Sequence, residues 1–397
     1  MVKRTLLISL FASLVFAQNF EDYNKAQTKA FEDEKKLFQI HQKSQDEEFE
    51  NYKKAQDIIF NEYKKEVKAV WKTPKMSTKT EWVAYSDDKK TRTNVDFSNE
   101  TIVVETIASS QKEATKKLQD ALKKVVTVDN KTFTQTDPLE KRLSKIKKPF
   151  GIVDDKPENE PIISNMIFKT KPTNSDVNKY VEKSINTSKI EVIKSNTIKQ
   201  SKVYTVKIQM PKDALVRKSK QYYKDVKKQA LRQKLPISLV FAIMHSESSF
   251  NPRARSYIPA YGLMQIVPKT AGIDAYRYLY KKKRLVSSSY LYNSKNNITI
   301  GSAYIHILYY KYFKNVKNPQ SRLYCTIAAY NTGSGNVAWA FVRKHSMDEA
   351  APIINKMSPE EVYAKLIKDL RYKEAKRYLQ KVSKRVDTYN KVYQSQG

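Results

Sequence analysis

The sequence predicts a mixed α+β protein with a long N-terminal helix, a small α+β domain and a C-terminal, mainly α-helical domain. Residues 18–70 contain no Pro or Gly, which favours one long helix. Over residues 71–210, short runs rich in β-branched and aromatic residues alternate with turn residues and a helical pattern. Residues 211–397 have helical apolar spacing and carry five Gly between positions 262 and 335, as expected for binding loops on a helical scaffold.

Residues 1–17 have the three parts of a secretory signal peptide. Lys3 and Arg4 supply the positive start, an uncharged and mostly apolar run covers residues 6–16, and Ala17 precedes the predicted cleavage site. This run is too short to span a bilayer; the alternative is an uncleaved segment retained at the membrane. No Cys follows the run, so we predict no lipid anchor. We expect a periplasmic protein, with peripheral contact to the outer membrane as the second option.

The predicted helix at residues 18–70 contains a repeat that begins at Phe20, Phe31, Phe49 and Phe60. Separations of 11, 18 and 11 residues are close to whole numbers of helical turns, so the four rings share one face. Two interpretations stay open. The face packs on the rest of the chain, or it serves self-association or binding of a protein partner.

Within residues 71–210, alternation predicts strands and apolar spacing predicts one helix. The strands are predicted at residues 81–85, 93–97, 101–107, 189–193 and 202–210, and the helix at residues 110–126. The Pro-rich and charged stretch 137–161 indicates a linker or surface loop. No catalytic constellation is evident in this domain.

Glu247 is the strongest candidate for chemistry. A helix predicted over residues 236–250 places Glu247 on the same apolar stripe as Ile243 and Met244. Burial disfavours a charged carboxyl and raises its pKa, which suits a general acid near neutral pH. The alternative is a structural Glu that pairs with one of the many Lys and Arg, and spacing alone leaves both open.

Three later motifs add to this candidate. They are Gly262-Leu263-Met264-Gln265, Ala329-Tyr330-Asn331 and the segment from Glu374 through Tyr378 to Val382. Together with Glu247-Ser248, and in this order, they resemble the motifs of the lysozyme-like lytic transglycosylases, which cleave bacterial peptidoglycan. Residues 82–107 resemble the N-terminal domain of the membrane-bound lytic murein transglycosylase C branch of that family.

The resemblance implies a lysozyme-like fold for residues 211–397 and a role for each matching residue. It implies that Glu247 protonates the oxygen between N-acetylmuramic acid and N-acetylglucosamine, then accepts the proton of the muramyl C6 hydroxyl, leaving a 1,6-anhydro end. It further implies that Ser248 orients the carboxyl and that Tyr378 hydrogen-bonds to it from across the cleft. The other implied substrate-binding residues are Met264, Gln265, Tyr330 and Asn331.

A one-carboxyl mechanism agrees with the composition of this region. Between Pro236 and Gly335 the only acids are Glu247 and Asp274, and Asp274 has the surroundings of a surface turn. Ordinary glycosidases use two carboxyls, so attack by an internal hydroxyl is the simpler interpretation. Two alternatives remain: a muramidase that hydrolyses the same bond, and a non-catalytic, basic scaffold that binds the cell wall.

Metal and nucleotide chemistry have no support in the sequence. One Cys and four scattered His do not provide a recognisable metal-binding pattern. The Gly-rich nucleotide motifs are missing. We therefore predict neither a cofactor nor a metal.

The charge indicates an anionic partner. The chain has 74 Lys and Arg against 41 Asp and Glu, a formal charge of +33. Residues 201–397 have 37 basic and 11 acidic side chains, a charge of +26. In an exported protein the predicted partner is peptidoglycan, through its peptide-stem carboxylates, with an anionic membrane surface second. Nucleic acid is not expected.

Overall fold

The computed structural model describes residue 32, residues 47–257 and residues 259–393. The predicted signal peptide, Phe20 and Phe31 lie outside the described residues. The described chain forms two units. The smaller holds its residues up to 58 together with 146–150, and the larger holds residues 59–145 and the chain from 151 onward. Residues 47–70 are helical (α1), and Phe49 is buried within the smaller unit.

The larger unit contains a five-stranded, fully antiparallel sheet. Its strand order is β1-β2-β3-β5-β4. The strands are β1 Glu81–Tyr85, β2 Thr91–Asp96, β3 Thr101–Ala108, β4 Glu191–Lys194 and β5 Lys202–Gln209. All five coincide with predicted strands to within two residues. The sheet combined with many helices confirms the mixed α+β class.

Both faces of the sheet are covered, because successive side chains of a strand point to opposite faces. Trp82 packs on the helices α2 Gln111–Thr127 and α6 Asn174–Thr187, among apolar side chains that include Leu118 and Val181. Val83 lies on the other face and packs with Tyr63, Val67 and Trp71, which come from the end of α1 and the residue after it.

Within the stretch 137–161, predicted as a linker or surface loop, residues 138–143 form a helix and residues 144–161 contain no helix or strand. Asp137 accepts hydrogen bonds from two backbone N–H groups and caps α4, Pro138–Leu143, where Pro fits the first helical position. The backbone N–H of Val153 donates to the carbonyl of Leu285 over 2.8 Å. Glu140 forms an ion pair with Arg253. Residues of this stretch therefore cap helix α4 and form an ion pair with Arg253. These contacts connect the sheet region with the C-terminal helices.

The rest of the larger unit is helical. Two short helices, α3 Asn130–Thr136 and α5 Ser164–Ile167, belong to the sheet region. The C-terminal helices are α7 Ala214–Gln221, α8 Tyr223–Gln233, α9 Ile237–Ser248, α10 Ile273–Tyr280, α11 Ser288–Tyr292, α12 Ser294–Ile307, α13 Pro319–Thr332, α14 Ser334–Val342, α15 Met347–Ile354, α16 Pro359–Asp369 and α17 Lys373–Tyr393. They share one apolar core, in which α9 packs against α17. None of the described helices combines the length and apolarity that a membrane crossing requires.

Candidate active site

Glu247 lies in the last turn of α9. Nine of the twelve residues of this helix are buried, so its carboxyl enters a weakly polar environment. Only 6% of Glu247 is exposed. Burial raises the pKa of Glu247 to about 7, because the carboxylate loses solvation. The ammonium groups of Lys79 and Lys381 and the Tyr378 hydroxyl act against this rise, and the carboxylate of Glu374 adds to it.

The chain turns sharply after α9. Ser249 and Phe250 both adopt left-handed conformations, with φ of 50° and 65°. Left-handed non-Gly residues occur at the C-terminal ends of helices as well as at strained functional sites. Phe250 is fully buried and stacks on His245, which holds the turn in place. The Ser248 hydroxyl donates to the carbonyl of Leu263 over 2.7 Å and so attaches the next loop to α9.

His245 shares the last two turns of α9 with Glu247 but is not poised for proton transfer near neutral pH. Burial lowers the pKa of His245 to about 3, and the cations Arg385 and Lys381 add to this effect. The Tyr389 hydroxyl lies 3.0 Å from its Nδ1 atom. The imidazole is therefore neutral at the pH values where Glu247 titrates.

A buried asparagine shapes the loop at residues 261–266. The side-chain amide of Asn297 donates to the carbonyls of Tyr261 and Leu291, both over 2.8 Å. Its oxygen accepts from the backbone N–H of Met264, also over 2.8 Å. Asn297 is fully buried on α12, so one side chain fixes the loop at several points.

Gln265 extends from this loop with an unsatisfied acceptor. Its Nε2 atom donates to the carbonyl of Gly262 over 3.1 Å. Its Oε1 atom is buried and has no hydrogen-bond partner among the described residues. A buried acceptor without a partner is costly, so this oxygen is suited to accept a hydrogen bond from a ligand.

The Tyr330 side chain connects α13 with the same loop. Its hydroxyl donates to the carbonyl of Met264 over 2.8 Å, and its ring lies edge-on to Tyr304 at 5.6 Å between centroids. Burial and the nearby Glu247 carboxyl raise the pKa of Tyr330. Asn331 follows on α13 and is half-buried.

Tyr378 approaches Glu247 from α17. Its hydroxyl is buried without a hydrogen-bond partner among the described residues, yet Tyr378 and the Glu247 carboxyl shift each other's pKa. Burial, followed by the Glu247 charge, raises the pKa of Tyr378. The phenol therefore stays protonated and is available as a hydrogen-bond donor to a carboxylate at position 247.

Comparison with known proteins finds a family match for the N-terminal part of the chain and another for the C-terminal part. Residues 43–221 match the family described as "Membrane-bound lytic murein transglycosylase C, N-terminal domain", and residues 225–352 match "Transglycosylase SLT domain". Membrane-bound lytic murein transglycosylase C of Klebsiella pneumoniae is 32% identical over 317 residues, which cover 78% of this chain and 81% of that protein. The chain belongs to this family. The Salmonella typhimurium member is 31% identical over 322 residues, covering 78% of this chain and 81% of its own.

Membership in the membrane-bound lytic murein transglycosylase C family confirms the resemblance drawn from the motifs, and with it the enzyme class. The 70 kDa soluble lytic transglycosylase of Escherichia coli also matches, at 23% identity and a TM-score of 0.34. That match covers 43% of this chain and 24% of the other.

The structure links six of the seven predicted site residues by contacts around Glu247. The Glu247 charge adds to burial in raising the pKa of Tyr378 and Tyr330. The Tyr330 hydroxyl bonds to Met264, and Ser248 attaches the 261–266 loop that carries Gln265. Asn331 is placed only by its position after Tyr330. The catalytic and binding roles of all seven stay predictions.

The contacts of two of these residues could not be predicted from the sequence. The Ser248 hydroxyl donates to the backbone carbonyl of Leu263. The Met264 side chain is fully buried and packs on Gly301 of α12, because Gly301 leaves room for it there. Met264 therefore contributes its backbone carbonyl, and the side chain fills the core.

Sequence reasoning missed several groups near Glu247. Lys79 precedes β1 and lies 168 positions upstream, so no local pattern connects it with α9. Lys381 and Glu374 lie on α17, and both influence the Glu247 carboxyl. Only the last motif, which contains Glu374, gave a signal in the sequence.

The site coincides neither with a metal-binding cluster nor with the cavity beside the sheet. No cluster of three His, Cys, Asp or Glu suited to a metal occurs in residues 47–257 and 259–393. A cavity of about 410 Å³ lies between the sheet and α2, lined by residues that include Trp82, Thr93, Val125 and Phe133. It contains none of the seven predicted residues.

Proposed function

We propose that the chain cleaves the β-1,4 bond between N-acetylmuramic acid and N-acetylglucosamine in peptidoglycan, with Glu247 as the single acid and base. Membership in a lytic murein transglycosylase family supports the substrate and the reaction class. The observation that carries the role of Glu247 is its burial at the end of α9, which raises its pKa to about 7. A carboxyl with this pKa is protonated often enough near neutral pH to act first as an acid.

In the first step Glu247 gives its proton to the glycosidic oxygen. The bond from muramyl C1 to that oxygen breaks, and positive charge develops at C1. In the second step the Glu247 carboxylate accepts the proton of the muramyl C6 hydroxyl while O6 bonds to C1. The carboxyl is regenerated, no water is consumed and the product ends in a 1,6-anhydro ring.

The surrounding groups support this sequence of proton transfers. The Tyr378 hydroxyl donates toward the carboxylate that exists between the two steps, which lowers its energy. The free oxygen of Gln265 accepts from an N-acetyl N–H or a hydroxyl of the sugar. Tyr330 and Ser248 hold the loop that carries Gln265 against α9.

A muramidase reaction is the second candidate, because the structure brings another acid near Glu247. The Glu374 carboxylate raises the pKa of Glu247. It lies outside the stretch from Pro236 to Gly335, in which Glu247 and Asp274 are the only acids. Its side chain is 75% exposed and lies 3.8 Å from the ammonium of Lys79. An exposed carboxylate engaged by a lysine is poorly arranged to activate a water, so we favour the anhydro product.

The experiment incubates purified protein with cell-wall sacculi and analyses the released muropeptides by mass. We expect soluble products with anhydro ends, and none from Glu247→Gln, which keeps the shape but removes the transferable proton. Glu374→Gln should still give anhydro products. Release by Glu247→Gln at the wild-type rate would contradict the assignment, and hydrolysed ends that disappear in Glu374→Gln would support the muramidase instead.

For location, we propose that the chain is exported and acts at the wall, with its basic surface in contact with peptidoglycan or an anionic membrane surface. The names of its relatives, which are membrane-bound enzymes, support this. Self-association or binding of a protein partner through the Phe-containing helix stays a prediction.

A further inference from the structure

The segment that leads into β1 is attached directly to the turn after the catalytic helix. The side-chain amide of Asn251 donates to the carbonyl of Lys79 over 3.3 Å. The backbone N–H of Arg255 donates to the carbonyl of Thr78, also over 3.3 Å. Asn251 is fully buried. Two hydrogen bonds therefore fix the backbone of Lys79 beside α9, although Lys79 is distant in sequence.

The Lys79 side chain is directed toward the charges around Glu247. Its ammonium lies 3.8 Å from the Oε1 atom of Glu374 on α17, and 42% of the side chain is exposed. Burial lowers the pKa of Lys381, the charges of Arg385 and Lys79 add to this effect, and the Glu247 carboxylate opposes it. Lys79, Lys381, Glu374 and Glu247 thus form one interacting group.

The titratable groups that face Glu247 come from four segments. The segment before β1 provides Lys79, and α13 provides Tyr330. Helix α17 provides Tyr378, Lys381 and Glu374. On α9 itself His245 is neutral. Lys79 and Lys381 thus lower the pKa of Glu247 from different parts of the fold, and Arg385 of α17 donates to the Ser246 hydroxyl on α9 over 2.9 Å.

We propose that Lys79 is a positioning residue for the reaction, acting on Glu247 to stabilise the carboxylate that exists between the two proton transfers. The inference rests on the proposed function. A buried carboxyl with no cation nearby would hold its proton too tightly to release it to the glycosidic oxygen. Lys79 offsets part of the burial effect, whereas the Glu374 carboxylate adds to it.

The test is the pH dependence of kcat for release of anhydromuropeptides, measured on the full chain. Lys79→Met removes the charge and keeps much of the side chain, whereas Lys79→Arg keeps the charge. Lys72→Met is the matched control, because Lys72 is an exposed lysine on the same segment. Glu374→Gln removes the negative charge next to Lys79.

Wild-type activity should fall as the pH rises through the pKa of Glu247, because the acid form is lost. In Lys79→Met that pKa rises, so the alkaline limb should move up by about half a pH unit, a modest shift because Lys79 is partly exposed. Below this limb kcat should fall about threefold, since the acid is weaker. Lys79→Arg and Lys72→Met should retain the wild-type pH profile of kcat. Glu374→Gln should move the alkaline limb to lower pH.

Loss of activity in Lys79→Met with an unmoved limb would overturn the inference, because it would indicate a structural role alone. A wild-type profile in Lys79→Met would overturn it as well. Either result would leave the proposed function intact, provided that the wild-type chain forms anhydro products and Glu247→Gln does not. Absence of anhydro products from the wild-type chain would instead contradict the proposed function.

Discussion

At the scale of single residues, burial of the Glu247 carboxyl lowers the stability of the fold above pH 4.5 and gives the carboxyl a pKa suited to a general acid. The native state keeps its carboxyl buried and raises its pKa from 4.5 to about 7. Between these values the folded chain binds a proton that the unfolded chain has lost. Stability therefore falls as the pH rises through this window. Below pH 4.5 both states are protonated and the penalty disappears.

This cost predicts that Glu247→Gln stabilises the protein at alkaline pH. Gln is neutral at every pH, so at pH 8 the variant should gain up to about 3 kcal/mol in free energy of unfolding, and at pH 4 nearly nothing. Thermal unfolding at both pH values measures the difference. The control Glu191→Gln, on the exposed strand β4, should show no such dependence. A Glu247→Gln variant that is less stable than wild type at pH 8 would contradict the buried-carboxyl interpretation.

Helical spacing made the burial of Glu247 predictable, since its stripe partners are apolar and adjacent in sequence. The charges that moderate its pKa were not predictable in the same way. Lys79 reaches the site only because Asn251 and Arg255 hold its backbone. The contacts of Ser248 and Met264 were not predictable either, because each depends on a partner, Leu263 or Gly301, that only the packed structure supplies.

At the scale of elements, the loop of residues 261–266 is held by packing as well as by its own geometry. Gly262 has φ of 74°, and a Cβ there would collide with the Asn297 side chain and the Leu291 carbonyl. Gly333, between α13 and α14, has φ of 84° but open space around its Cβ position. Both Gly residues therefore adopt a positive φ, but only at Gly262 would an added Cβ meet neighbouring atoms.

We expect Gly262→Ala to be far more damaging than Gly333→Ala. Gly333→Ala should cost about 1–2 kcal/mol through backbone strain. Gly262→Ala should cost more than about 4 kcal/mol, because it also disrupts the buried Asn297 contacts. Thermal and urea unfolding of the two variants compare them directly. Equal losses would show that the Asn297 contacts do not constrain this loop.

Strands and amphipathic helices were predictable because their signals are local. The strand at residues 81–85 was placed correctly by alternation and flanking turn residues. Within the stretch 137–161 the short helix α4 was missed, because Pro and charged residues are typical of loops as well as of helix starts. Here Asp137 and Pro138 begin α4, and Glu140 meets Arg253 from a distant part of the chain. Composition alone does not distinguish these cases.

At the scale of the whole molecule, the charge of +33 lies mainly on the part of the chain with the candidate site. Lytic transglycosylase relatives and the motif residues favour peptidoglycan as the anion. Exposed charges interact through solvent and are screened by salt. Binding to the wall should therefore depend on ionic strength.

We predict that binding of the protein to sacculi weakens at least about fivefold between about 50 and about 300 mM NaCl. Cosedimentation with sacculi measures bound protein, and Glu247→Gln prevents digestion during the assay. An uncharged salt substitute such as sucrose at matched osmolarity is the control. Binding that is indifferent to salt would require another explanation for the excess of Lys and Arg.

Digestion in oxygen-18 water distinguishes attack by the C6 hydroxyl, directed by Glu247, from attack by water. Hydrolysis places a labelled oxygen on muramyl C1, whereas intramolecular closure places none. We predict unlabelled products one water lighter than the hydrolysed form, all dependent on Glu247. Muramyl ends carrying the label as the main product would show that water attacks C1 instead.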